Sequence, residues 1–158
     1  MMIFTDGSFS RKPKVSGIGY VILTNKCEIS NGCYNFKLKD NNVAEVYAIY
    51  RALQFVEKHH FDDKTIQILS DSDYALRKIK NMSLGRDESE NKFLSYIQEF
   101  VQKSDKKVSF MLIKGHTHDG SKYSYYNNLA DHIAGEQRLL GLQRLKNIQN
   151  KKRNDYYL

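Results

Sequence analysis

Near residue 41 the spacing of apolar residues changes from a strand-like to a helix-like period, and that change leaves few folds open to the chain. Before it, residues 2–9, 18–23 and 29–38 read as three short strands broken at Pro13, Gly17 and Asn31-Gly32, the pattern of an antiparallel meander. Asn31-Gly32 lies inside the third run, so either a tight turn or a bulge is expected there. From Asn41 onward Val46, Ile49, Tyr50, Leu53 and Val56 form one stripe at helical spacing, closed by Lys58, His59 and His60. The run TIQILS at 65–70 predicts a strand that emerges at Asp71, and Ala75, Ile79 and Met82 predict a helix behind it. After a break at 83–87, Phe93, Tyr96, Ile97, Phe100 and Val101 predict a further helix, and residues 108–113 a last strand. A polar loop over 115–126 then leads to a final helix, capped by Asn127 or Asn128 and carrying Leu129, Ile133, Ala134 and Leu140.

A three-strand meander followed by strand–helix units predicts an α/β fold with one mixed sheet, antiparallel and then parallel, because right-handed crossovers set the helices on its faces. At 158 residues the chain suits one domain, expected over 1–145, followed by a basic tail over 146–158 whose end, KKRNDYYL, reads as frayed. Apolar residues make up 41% and charged residues 27%, the balance of a soluble globular protein. No apolar run approaches the roughly 18 residues that span a bilayer, and the opening MMIFTDGSFSRKP lacks the pattern of a signal peptide, so a cytoplasmic setting without membrane is expected. Cys27 and Cys33 lack the spacing of a metal or redox motif and read as reduced structural thiols. The formal charge of +7 favours a polyanionic partner.

Four carboxylates stand in places that demand an explanation. Asp6 sits in the middle of an apolar strand, where an acid is costly unless water, a partner or a metal receives it. Asp71 ends TIQILS, and open α/β sheets bind ligands beyond such carboxyl ends. Glu45 is expected in the first turn of a helix whose stripe faces the sheet, and Asp131 in the first turn of the last helix. Either of the latter could simply complement a helix dipole. Convergence of all four would require a cation, and hard divalent ions are the natural one: Mg2+ takes oxygen ligands, and in pairs about 3.5 to 4 Å apart it serves phosphodiester cleavage.

The segments TDGS (5–8), NNVAEVYA (41–48), LSDSDYAL (69–76) and KGH…NNLAD (114–131) together resemble, in order and approximate spacing, the four signature blocks of type I ribonuclease H. The resemblance covers about residues 3–135. It implies a five-stranded mixed sheet flanked by helices, with Asp6, Glu45, Asp71 and Asp131 as a catalytic, metal-binding tetrad. It further implies two Mg2+ ions, with Mn2+ as the alternative, that activate water and stabilise the leaving 3′ oxygen of the RNA strand in an RNA–DNA hybrid. Products would then carry 5′-phosphate and 3′-hydroxyl ends. By the same resemblance His116 follows Lys114-Gly115 as the mobile-loop histidine for proton transfer or product release, with His118 as the competing choice. Gly7, Ser8, Asn41 and Asn42 match positions that touch the sugar edges of the hybrid's minor groove, where the 2′-hydroxyls mark the RNA strand. Their plainer reading is turn residues for Gly7-Ser8 and a helix cap for Asn41.

The chain also departs from the family pattern. SRKPKVSG replaces a glycine-rich turn after the first strand and brings Arg11, Lys12 and Lys14 close to the expected groove. Asp40 stands where a threonine often helps to bind a DNA phosphate, and its charge would repel one. Only NMSLGRDESEN joins the two middle helices, so the basic protrusion of many bacterial members is missing. Hybrid binding must lean on other cations, among them Lys37, Lys39, Lys114, Lys122, Lys146, Lys151, Lys152 and Arg153. Tyr123, Tyr125 and Tyr126 either stack on nucleotides or pack on the base of their own loop. Two competing functions remain at this stage: a catalytically silent nucleic-acid-binding module of the same fold, and another nuclease of the superfold, since one fold hosts several chemistries. A monomer is expected, because the site needs one chain.

Overall fold

A computed structural model describes residues 1–115, 117 and 119–155, with side chains described as far as residue 151. The elements run β1 (Met2–Arg11), β2 (Lys14–Leu23), β3 (Glu28–Asn35), α1 (Asn41–His59), β4 (Thr65–Ser70), α2 (Asp73–Asn81), α3 (Glu88–Lys103), β5 (Lys107–Leu112) and α4 (Lys122–Asp155). The five strands form one sheet in the order β3-β2-β1-β4-β5. β1, β2 and β3 pair antiparallel, whereas β4 lies parallel to both β1 and β5, as the meander and crossover pattern predicted.

Alternation along the strands divides the interior in two. Ile3, Ile18, Tyr20 and Ile22 turn to one face, where they pack with Val46, Ile49, Leu53, Leu94 and Ile97 of α1 and α3. Phe4, Val21 and Leu69 turn to the other face and meet Ala130 of α4. Three helices thus cover one side, and a single long helix covers the other.

Local chemistry explains where the helices begin. Asp40 accepts from the Val43 N–H at 3.0 Å and caps α1, so the capping role falls to Asp40 and not to Asn41. Ser72 and Asp87 cap α2 and α3 in the same way. Asn41 being the first helical residue, Glu45 lies past the first turn, which holds no acid. The last helix starts earlier than the asparagines suggested, at Lys122, because Ser121 accepts from the Ser124 N–H through Oγ and from the Tyr125 N–H through its carbonyl. Asp131 therefore sits in the third turn of α4, beyond the reach of a simple dipole effect. At its far end α4 continues without a break through 145–146 to Asp155, where a separate tail was expected.

The expected turn or bulge at Asn31-Gly32 is absent. β3 stays in continuous register with β2 across it, Asn31 opposite Tyr20 and Gly32 opposite Gly19. Gly32 answers a packing need: a Cβ there would come within 2.7 Å of Ile133 Cγ2 on α4. Gly19 does the same one strand inward, since its Cβ would overlap the Ala130 carbonyl oxygen. Bare backbone on this face lets α4 lie directly against β2 and carries Asp131 down to the level of the sheet. Among the described residues, no helix is long and apolar enough to cross a membrane. Cys27 and Cys33 are both free thiols.

Gly19→Ala tests this packing. The added methyl should force α4 off the sheet and cost about 2 kcal/mol, seen as a lower urea midpoint at unchanged slope. A midpoint equal to the parent's would show that α4 does not rest on β2 at Gly19.

Candidate active site

Parallel pairing of β1 with β4 fixes the first two acids. Phe4 stands opposite Leu69, so two residues further along each strand Asp6 and Asp71 arrive side by side. The chain leaves β1 towards β2 on one side, whereas β4 leads to β5 on the other, and between such diverging strands a crevice opens. Asp6 is buried, 6% exposed, and Asp71 follows the last residue of β4. Glu45 reaches the same point from α1, also 6% exposed, and its Oε2 accepts from the Gly7 N–H at 3.1 Å. Each of Asp6, Glu45 and Asp71 offers a carboxylate oxygen, and these atoms lie within 4.8 Å of one another. Asp131 approaches Asp6 from α4 on the opposite face, near enough to raise the cost of ionising it, but it stands outside this group of three.

Burial and mutual repulsion make this cluster reluctant to ionise. Loss of hydration pushes the Asp6 carboxyl up to about 8, reinforced by the charges of Asp71 and Asp131 and by the hydrogen bond with Asp131. Glu45 is held well above the ordinary carboxylate range, by burial first and then by Asp6 and Asp71. A divalent cation removes both penalties together. The donor set suits a hard ion such as Mg2+ or Mn2+: it contains carboxylate oxygens and neither thiolate nor imidazole among the described residues.

Two residues that sequence reasoning did not assign to the site hold Asp71 in place. Asn127, on the buried side of α4 at 1% exposure, donates from Nδ2 to Asp71 Oδ2 at 3.2 Å. The sequence reading gives it only a capping role; its place four residues before Asp131, one turn back on the same helical face, is the signal that pointed to the site. Gly115 lies so close that a Cβ would overlap Asp71 Oδ2, which gives the glycine of Lys114-Gly115 a steric role.

The expected substrate-contacting residues fall into two groups. Gly7 and Asn41 lean on the cluster itself, the latter donating from Nδ2 to Glu45 Oε1 at 3.4 Å. Asn42 and Lys114 are exposed, whereas Ser8 is half-buried and its Oγ accepts from Arg138 Nε at 2.9 Å. His116, expected on the mobile loop, and its competitor His118 lie outside the described residues. The tyrosines belong to the first turns of α4 and not to a loop. Tyr123 and Tyr126 pack on Phe4 with ring centroids 6.4 and 5.4 Å away, and the Tyr126 hydroxyl donates to Glu28. Tyr125 remains 63% exposed.

The raised carboxyls set the sign of a pH effect. Asp6 is protonated in the folded, metal-free protein up to about pH 8, but ionises near pH 4 when unfolded. Its contribution to stability is therefore complete below pH 4 and is lost as pH rises towards 8. In EDTA, Asp6→Asn should melt several degrees above the parent at pH 8.5 and show little difference near pH 4, followed by thermal denaturation. A variant that is destabilised equally at both pH values would contradict the electrostatic account.

A family model described as RNase H matches residues 1–138. Over 103 residues, 63% of this chain, the sequence is 29% identical to the uncharacterised protein YpeP of Bacillus subtilis. That match spans 46% of YpeP, so the chain corresponds to about half the length of this relative. In three dimensions it resembles LC11-RNase H1, solved in complex with an RNA/DNA hybrid, with a TM-score of 0.71 at 22% identity over 89% of this chain and 98% of that one. RNase H1 of the halophilic archaeon Halobacterium salinarum superposes with a TM-score of 0.65 at 18% identity, over 86% of this chain and 95% of the other. The family match runs through all five strands and along α4 as far as Arg138, so it embraces every element that carries one of the four acids, and the chain belongs to the RNase H family.

Proposed function

We propose that this protein is an endoribonuclease that hydrolyses the RNA strand of RNA–DNA hybrids with two divalent ions held by Asp6, Glu45, Asp71 and Asp131. The observation that carries the reading is the meeting of Asp6, Glu45 and Asp71 at the diverging ends of β1 and β4, with Asp131 close to Asp6, where burial and like charge oppose ionisation. An arrangement that costly, in a member of this family, supports a metal-loaded working state over a silent binding module.

When bound, Mg2+ supplies charge for the phosphate oxygens and lowers the barrier to attack by water, and Mn2+ is the alternative ion. The chain's own part is to present oxygen ligands at fixed positions. The Gly7 N–H and Asn41 hold Glu45, while Asn127 holds one oxygen of Asp71, so neither carboxylate has to be ordered when substrate arrives. Water attacks phosphorus in line with the departing 3′ oxygen of the RNA, the P–O3′ bond breaks, and the ends formed are a 5′-phosphate and a 3′-hydroxyl. His116 is the proposed carrier of a proton to or from this reaction or the product, with His118 as the competitor.

Preference for RNA in the cut strand rests on the minor groove, which displays the 2′-hydroxyls. Asn41 and Asn42, exposed at the start of α1, and Ser8 beside Asp6 are the proposed contacts, with Lys114 as a phosphate partner. Asp40 takes no part in phosphate binding in this reading, because its carboxylate is committed to capping α1.

The test is cleavage of an end-labelled RNA–DNA hybrid with Mg2+ or Mn2+, beside duplex DNA and branched DNA. The parent should cut only the RNA of the hybrid, and Asp71→Asn should lose more than about 100-fold in rate while keeping its fold and its affinity for hybrid. Binding without cleavage by the parent under either ion would leave a silent module instead. Cleavage of branched or duplex DNA in preference to hybrid would point to another nuclease of the same superfold.

A further inference from the structure

Two stretches of this chain carry no acid at all, and the fold lays one against the other. Residues 7–23 and 137–154 together hold nine of the 25 basic residues and none of the 18 acidic ones. The rest of the chain is therefore net acidic, and the whole of the +7 charge arises from these two stretches. Their contact is direct. A Cβ on Gly17 would overlap the backbone of Arg138, and one on Gly141 would lie 2.6 Å from Val15 Cγ1. α4 thus runs alongside β2 towards the β1–β2 hairpin and brings Arg138 and Arg144 beside a tip formed by Arg11, Lys12 and Lys14.

These cations are not spent on the protein's own acids. Arg11, Lys12 and Lys14 are exposed, and among the described residues none of them, nor Arg138 or Arg144, takes part in a salt bridge. Beyond Gly141 the helix continues to Asp155, about 20 Å at 1.5 Å per residue, and adds Lys146 and Lys151 to the same end of the molecule. Arg138 links this surface to the acid cluster through its bond to Ser8, two residues from Asp6.

We propose that the hairpin tip and the distal half of α4 form a second contact with nucleic acid, gripping backbone phosphates to one side of the cleavage point. The proposal rests on the hybrid-cleaving function proposed above and says where the substrate is held in a chain without a basic insert between α2 and α3. Arg11 lies five residues from Asp6 along β1, about 16 Å at strand rise. Along a duplex that distance is about five base pairs. The contact is with phosphates, so it carries affinity without sequence preference.

The experiment measures binding of a fluorescent 20-base-pair RNA–DNA hybrid in EDTA, where cleavage is silent, across a range of salt. One variant replaces Arg11, Lys12, Lys14, Arg144 and Lys146 by alanine. A control replaces Lys58, Lys64 and Lys107, exposed cations at the far end of the sheet. The first variant should bind at least about tenfold more weakly at 100 mM salt and lose about three units or more of the slope of log K against log salt. The control should stay within about twofold in affinity and cut hybrid as the parent does, and both variants should keep the parent's melting temperature. Equal affinity of the two variants for hybrid, or a loss seen only with anionic phospholipid vesicles, would overturn the proposal. If the parent fails to cut hybrid yet the first variant still loses affinity, the surface stands and the catalytic reading falls. If the parent cuts and the variant binds as tightly as the control, the reverse holds.

Discussion

Mutual repulsion among carboxylates at the end of the sheet is the constraint that the remaining structure answers to. Two acids side by side on parallel strands, with a third descending from α1 and a fourth from α4, resist burial because each raises the cost of ionising the next. Hydrogen bonds from the Gly7 N–H, Asn41 and Asn127 offset only part of this. The cluster is held by the apolar packing on the two faces of the sheet, by Phe4, Val21, Leu69 and Ala130 behind Asp6 and by the larger core under α1. Stability is thus given up at one point to gather carboxylates that could hold a cation, the usual relation between a functional site and the scaffold beneath it.

The second dependence is geometric. Asp131 meets Asp6 only if α4 lies close to the sheet, and ordinary strand side chains would hold it off by the usual helix–sheet separation. Gly17, Gly19 and Gly32 remove those side chains along the line where α4 crosses β2 and β3. One row of missing side chains therefore serves two ends of the molecule. It sets the fourth acid beside Asp6, and further along it brings α4 against the basic hairpin.

What could be read from the sequence depended on how local the determining physics was. Alternation and helical stripes set the sheet, its mixed character and the order of elements, and the placement of Asp6 and Asp71 followed from strand chemistry alone. The errors arose where long-range packing overruled a local signal. Asn31-Gly32 has the composition of a turn, yet its glycine answers to Ile133, more than a hundred residues away. Asn127 and Asn128 look like caps, but Ser121 had already capped the helix, and Asn127 was free to hold Asp71. Asp40 read as a charge in the wrong place for phosphate, and its bond to the Val43 N–H supplies the reason it is there. Four short motifs, taken together, pointed to the family; the residues that steady the acids belong to no motif and show only when distant segments meet.

The distance between the acidic cluster and the basic surface has a consequence of its own. At about 16 Å the hairpin cations lie roughly two Debye lengths from Asp6 at physiological salt, so they do little to ease the ionisation of Asp6 or Glu45. Were they nearer, they would neutralise the carboxylates directly, lower their affinity for a divalent ion and hold the phosphate backbone by the wrong partner. Set apart, the two charges act in sequence along one duplex. In the proposed function the positive end would attract and orient the backbone, and the acidic end would meet the scissile phosphate through a bound cation. A chain that is net acidic outside two stretches can in this way still draw in a polyanion, because the field that matters is the one at the end where β1, β2 and α4 converge.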